Sequence, residues 1–220
     1  MSDETQKIAM VTGASRGLGA AMAEALAQRG YHVVALARTT GALEELDDRI
    51  QAKGGAATLV PVDICNDDAM AQICHSIHQR WGHVDLLVHA AIHAPPLSPM
   101  EFFDAKDLDK TIATNIRATA RLILNTLPLL KAAPDAHAVF FNDPVKAEKF
   151  HGGYGMSKAA QMRMARTMQD ECAKSGPQVH VLTPQPLPTA TRGRFYPGED
   201  RAKLTDPHTE AARLLDELPL

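Results

Sequence analysis

Ala9-Met10-Val11-Thr12-Gly13-Ala14-Ser15-Arg16-Gly17-Leu18-Gly19 is an apolar run that breaks into three glycines. It resumes as Ala20-Ala21-Met22-Ala23-Glu24-Ala25-Leu26-Ala27, a series of strong helix formers. Lys7–Val11 therefore reads as a short buried strand and the second run as a helix, with the glycines in the turn between them. Residues without a Cβ let the backbone turn sharply there and let a phosphate approach the amides. The N-terminus of the helix then faces the anion.

Working outward, the 220 residues suffice for one sizeable core and predict a single domain over residues 1–220. A hydrophobic content of 45% and a formal charge of −3 fit an ordinary globular chain, and dispersed Lys and Arg argue against a nucleic-acid partner. No apolar run approaches the roughly 18 residues of a membrane span. The acidic start Met1-Ser2-Asp3-Glu4 is unlike a signal peptide, so a cytoplasmic location is expected. Cys65, Cys74 and Cys172 show no C-x-x-C spacing and read as reduced packing residues.

After a stop at Gly30, Tyr31–Ala37 is a continuous apolar strand of the parallel-sheet kind, followed by a helix over about residues 41–53. The end of such a second strand is where a dinucleotide's adenosine ribose is read, an acidic residue selecting NAD and an Arg accommodating the 2′-phosphate of NADP. Ala37 stands at the acidic position and Arg38 follows it, while Arg16 approaches from the glycine turn. Two guanidiniums converging on one phosphate favour NADP(H) over NAD(H); two solvated surface arginines are the plainer alternative. Further strands are expected at 58–62, ending at Asp63, at 84–89, at 139–141 and at 179–182, with helices at 66–80, 107–131, from 153 and at 209–218. The helix at 107–131 is expected to bend or stop near Pro128. On it Leu108, Ile112, Asn115, Thr119 and Leu122 share one face. His89 and His93 lie on a strand exit without a third ligand in view, so no metal site is expected.

Tyr154-Gly155-Met156-Ser157-Lys158 places a phenol and an ammonium one turn apart on one helix face. A nearby cation is expected to lower the phenol's pKa of about 10, making Tyr154 a general acid for a carbonyl or a general base for an alcohol. Thr-Gly-x-x-x-Gly-x-Gly at the turn, with Tyr-x-x-x-Lys after the fifth strand, resembles the short-chain dehydrogenase/reductase family. The tail is similar, more loosely, to its bacterial YciK-like subgroup. The resemblance implies an α/β, Rossmann-like doubly wound parallel sheet of about six strands flanked by helices, and a homodimer. A seventh strand common in the family is absent, so the C-terminus is expected to be truncated. It also implies cofactor contacts by Gly13, Ser15, Arg16, Gly17, Leu18 and Gly19, by Arg38, by Asp63 at the adenine, and by His89 and Ala90. Thr189 would meet the nicotinamide amide, Lys158 the ribose, and Tyr154 the nicotinamide side of the site. Asn115 matches the family's helix asparagine, which organises a water linking the lysine to solvent; a core amide satisfied by backbone is the alternative.

Three departures stand out. The family's Asn-Ala-Gly after strand four is His89-Ala90-Ala91-Ile92, and Ile92 is expected to narrow the cofactor channel. Its Pro-Gly turn after strand six is Pro184-Gln185-Pro186. The segment Arg192–Lys203 is expected to cover the substrate. No Ser occurs between Lys131 and Tyr154, where the family places the residue that polarises the substrate carbonyl. Phe140-Phe141-Asn142-Asp143-Pro144 fills that place, so Asn142, or a protonated Asp143, would have to donate instead. The reading is an NADP(H)-dependent oxidoreductase of a small carbonyl or alcohol, expected to be slowed by the missing Ser. Its rival is a non-catalytic NADP(H)-binding sensor or scaffold. A sugar-nucleotide epimerase shares the Tyr-Lys pair but needs a C-terminal substrate domain.

Overall fold

The computed structural model describes residues 6–143 and 148–220; Met1–Glu4 and Pro144 lie outside the described residues. Six strands form one parallel sheet: β1 (Ile8–Thr12), β2 (His32–Ala37), β3 (Ala56–Pro61), β4 (Leu86–His89), β5 (His137–Phe141) and β6 (Gln178–Leu182), in the order β3-β2-β1-β4-β5-β6. The order reverses between β1 and β4, and ligands of doubly wound sheets bind in the crevice that such a reversal opens at the carboxyl ends. Thr12 pairs with Leu36 on one side and His89 on the other, which brings the glycine turn and the exit of β4 to one edge.

Both faces of the sheet are covered, which is why its central strands are apolar without alternation. Successive side chains still point to opposite faces. Ala9 and Val11 join Leu26 of α1 (Gly17–Gln28), Leu43 and Ile50 of α2 (Thr40–Gln51), and Leu214 of α8 (Pro207–Asp216). Ile8 and Met10 join Met70 and Ile77 of α3 (Asp67–Trp81), Leu122 of α5 (Ala118–Ala132), and Met162 and Met168 of α6 (Gly152–Cys172). Asn66 caps α3, Asp104 caps α4 (Ala105–Thr111), Thr189 caps α7 (Ala190–Phe195) and Asp206 caps α8, each accepting backbone N–H bonds that the first turn leaves open.

The long helix departs from expectation in two ways. It runs through Pro128 to Ala132, because one proline removes a single backbone donor while Leu129 and Leu130 stay buried. Between α4 and α5 it widens into a π-helical segment, Ile112–Arg117. The wider turn shifts the faces: Ile112 is exposed, whereas Asn115, Thr119 and Leu122 remain buried.

Candidate active site

A cavity of about 860 Å³ runs along the carboxyl ends of the strands. Gly13, Ser15, Arg16, Gly17, Leu18 and Gly19 line one end, Arg38 and Asp63 flank it, and Tyr154 and Lys158 lie toward the other. His89, Ala90, Asn142, Asp143 and Thr189 also line it; Asn115 does not. The sheet thus gathers the chosen residues from seven separate segments of sequence.

The glycine turn is shaped for close approach. Gly13 has φ +71, and a Cβ there would sit 2.7 Å from the amide nitrogen of Ala91. A Cβ on Gly19 would collide with the carbonyl oxygen of Gly13. No side chain caps α1, so its first-turn N–H groups open toward the cavity, an arrangement that suits an anion. Arg16 and Arg38 are exposed at this end and, among the described residues, neither pairs with a carboxylate. The open amides and the two free guanidiniums fit a dinucleotide phosphate.

At the other end the geometry corrects two expectations. Tyr154 Oη donates to Asp143 Oδ2 at 2.9 Å, so Asp143 is an acceptor toward the phenol rather than a substitute donor. Asn142 turns its amide to Thr183 Oγ1 at 3.4 Å, across the ends of β5 and β6. The phenol is also not lowered by Lys158: burial, followed by the Asp143 charge and the bond to it, pushes Tyr154 above its ordinary pKa. Burial brings the Lys158 ammonium down to about 8, with the Asp143 charge opposing. Lys158 Nζ donates 2.7 Å to Gln161 Oε1, a residue that sequence reasoning passed over. Its spacing three residues beyond Lys158 was the one available signal.

Asn115 is fully buried and both ends of its amide are engaged. Its Oδ1 accepts from the His93 amide at 2.7 Å, and its Nδ2 donates to the His93 carbonyl at 2.8 Å and to Ser157 Oγ at 2.9 Å. His89 borders the cavity, but its ring nitrogens point into the protein, to Thr12 Oγ1 at 2.7 Å and Thr119 Oγ1 at 2.9 Å. That leaves no free ring nitrogen for a ribose hydroxyl. Burial, then the Lys158 charge, lowers its pKa to about 3, so the ring is neutral.

The substrate side is apolar and roofed. Tyr154, Ala94 and Phe195 cluster with Ile92 and Leu97. The Phe195 ring meets the Tyr154 ring edge-on at 4.8 Å, so α7 covers the phenol. Arg192 makes a two-pronged pair with Glu199, and Arg194 bonds the Ala94 carbonyl, tying the cover to the loop after β4. Thr189 Oγ1 accepts the Arg192 amide at 3.2 Å and keeps its own hydrogen for another partner.

Residues 7–200 match the family model described as short chain dehydrogenase. A fatty acyl-CoA reductase of Acinetobacter baylyi is 32% identical over 172 residues, covering 76% of this chain and 58% of that protein. This chain therefore spans well under two thirds of that relative's length. The oxidoreductase YciK from E. coli superposes with a TM-score of 0.86 at 27% identity, over 91% of this chain and 84% of that one. A short chain dehydrogenase from Shigella flexneri complexed with NADP gives a TM-score of 0.88 at 27% identity, over 94% and 89%. With the parallel sheet, the glycine turn and the Tyr154–Lys158 helix at one cavity, the chain belongs to the short-chain dehydrogenase family.

Proposed function

We propose that the protein is a one-domain NADP(H)-dependent oxidoreductase acting on a small carbonyl or alcohol. The observation that carries this reading is the single cavity joining the glycine turn to Tyr154 and Lys158. Gly13–Gly19 and the open end of α1 would hold the pyrophosphate, Arg16 and Arg38 the 2′-phosphate, and Asp63 the adenine. Ala90, Thr189 and Lys158 would hold the nicotinamide riboside. The bound nicotinamide supplies hydride in reduction and accepts it in oxidation.

Tyr154 supplies the proton that turns the reduced carbonyl oxygen into a hydroxyl. Burial and the Asp143 charge raise its pKa, which keeps the phenol protonated near neutrality but makes it a weaker proton donor. A substrate oxygen must, however, compete with Asp143 for the Tyr154 hydrogen. The missing Ser removes a further donor, a loss typically worth about 10² to 10³ in rate. Slow turnover follows.

The same bond favours the second reading, a sensor or scaffold, because a phenol committed to Asp143 under the Phe195 ring is poorly placed to react. The test is NADPH oxidation across a panel of small carbonyls, with Tyr154→Phe beside wild type. Turnover reduced at least about 100-fold by the substitution, with NADPH still bound, is the expected result. Turnover unaffected by the substitution would refute the role of Tyr154, and NADPH binding without wild-type turnover would support the sensor.

A homodimer through the helices carrying Asn115 and Tyr154 is part of the proposal, supported by the exposed apolar side chains Ile112, Leu124 and Met156. The three free cysteines suit a reducing compartment such as the cytoplasm.

A further inference from the structure

At the cavity floor lies a buried polar cluster drawn from four elements: Thr12 of β1, His89 of β4, Thr119 of α5, and Lys158 with Gln161 of α6, of which His89, Lys158 and Gln161 border the cavity. Gln161 is 2% exposed and His89 3%, so every polar atom here must find its partner inside the protein.

The donors fix the directions of the bonds. A charged ammonium only donates, so the Gln161 atom 2.7 Å from Lys158 Nζ is the carbonyl Oε1. Gln161 Nε2 then directs its two hydrogens to Thr119 Oγ1 at 3.0 Å and His89 Nε2 at 3.2 Å. An amide NH₂ only donates, so His89 Nε2 accepts from Gln161, and the Thr119 hydrogen is shared between His89 Nε2 at 2.9 Å and the Asn115 carbonyl at 2.8 Å. The imidazole proton therefore sits on Nδ1 and is donated to Thr12 Oγ1. Reversing the Gln161 amide would set its NH₂ group against the ammonium and its oxygen against the His89 lone pair.

We propose that Gln161 is the positioning residue of the Lys158 ammonium, and that His89, held as the neutral Nδ1–H tautomer, fixes the way Gln161 faces. On this account His89, one of the residues that depart from the family pattern, anchors the lysine's support. The catalytic consequence rests on the oxidoreductase reading above, because it is there that Lys158 holds the cofactor ribose. The hydrogen-bond chain itself belongs to the protein without cofactor and is tested there.

The titratable groups facing Lys158 are His89 from β4, Asp143 from the loop after β5, and Tyr154 one turn earlier on α6. The experiment follows the Lys158 Nζ resonance against pH in cofactor-free, lysine-labelled protein, assigned with Lys158→Met. Gln161→Met removes the acceptor and should lower the lysine's titration by about one pH unit. Gln161→Glu keeps the shape, adds a carboxylate and should raise it by about one unit or more. Should Gln161→Met fail to fold, the near-isosteric Glu variant carries the test alone. The His89 nitrogen signals should report Nδ1–H, without titration, between pH 5 and 8. An unchanged lysine titration in the variants, or an Nε2–H or doubly protonated His89, would overturn the proposal. A wild type that binds no NADPH would defeat the oxidoreductase reading and leave these titrations standing.

Discussion

Tyr154 Oη must leave Asp143 before it can reach a substrate oxygen, and a bond to a charged acceptor is worth about 1.5–3 kcal/mol. Asp143→Asn weakens that hold and supplies an amide donor beside the phenol. It should raise the turnover number for carbonyl reduction about tenfold at pH 7; a fall would mean that the carboxylate takes part in the chemistry. His89 makes a second prediction. Its imidazole takes a proton near pH 6.5 in the unfolded chain but only near 3 when folded. The unfolded state therefore binds more protons between those values. Stability present above pH 6.5 is lost as pH falls toward 3, by up to about 1.4 kcal/mol per unit. His89→Asn should flatten this acid limb in urea unfolding at pH 4.5 against 7.5, and an unchanged limb would show that His89 does not set it. At this scale the pair Tyr154 and Lys158 was legible, because four-residue spacing on a helix fixes a shared face. Gln161 was not, since apart from Lys158 its partners come from β4 and α5 and meet only in the fold. Nor was the acceptor role of Asp143, which depends on where the loop after β5 turns.

Among the elements, β1, the glycine turn and α1 set the shape of the cofactor end. Gly19→Ala would press a methyl group onto the Gly13 carbonyl, where backbone must shift, at a cost of about 1–3 kcal/mol. Gly41→Ala, at an open position in α2, should be neutral or stabilising by up to about 1 kcal/mol. Thermal unfolding of the two variants beside wild type separates them, and equal effects would contradict the close packing at Gly19. The strands and most helices were legible because unbroken apolar runs and cap residues carry the pattern locally. The π-helical segment was invisible to a 3.6-residue period. It exposes Ile112 while keeping Asn115 inward, beside the His93 backbone.

Across the whole molecule, the reversal of strand order between β1 and β4 gathers residues 13, 15–19, 38, 63, 89–90, 154, 158 and 189 around one cavity. Parallel strands with crossover helices follow from the sequence pattern, and the sheet order follows from the family; neither shows how α7 roofs the phenol. If the exposed Ile112 and Leu124 cover a partner, sedimentation should give twice the chain mass, and Ile112→Glu with Leu124→Glu should give the single-chain mass. A wild type of single-chain mass would contradict the dimer. The most direct test of the cavity's purpose is calorimetric titration of wild type with NADPH and with NADH, repeated on Arg16→Ala/Arg38→Ala. Two charge-assisted contacts to one phosphate predict at least about tenfold tighter binding of NADPH, a preference that the double substitution erases. Equal affinity for both cofactors would contradict the arginine assignment, and binding of neither would contradict the oxidoreductase account itself.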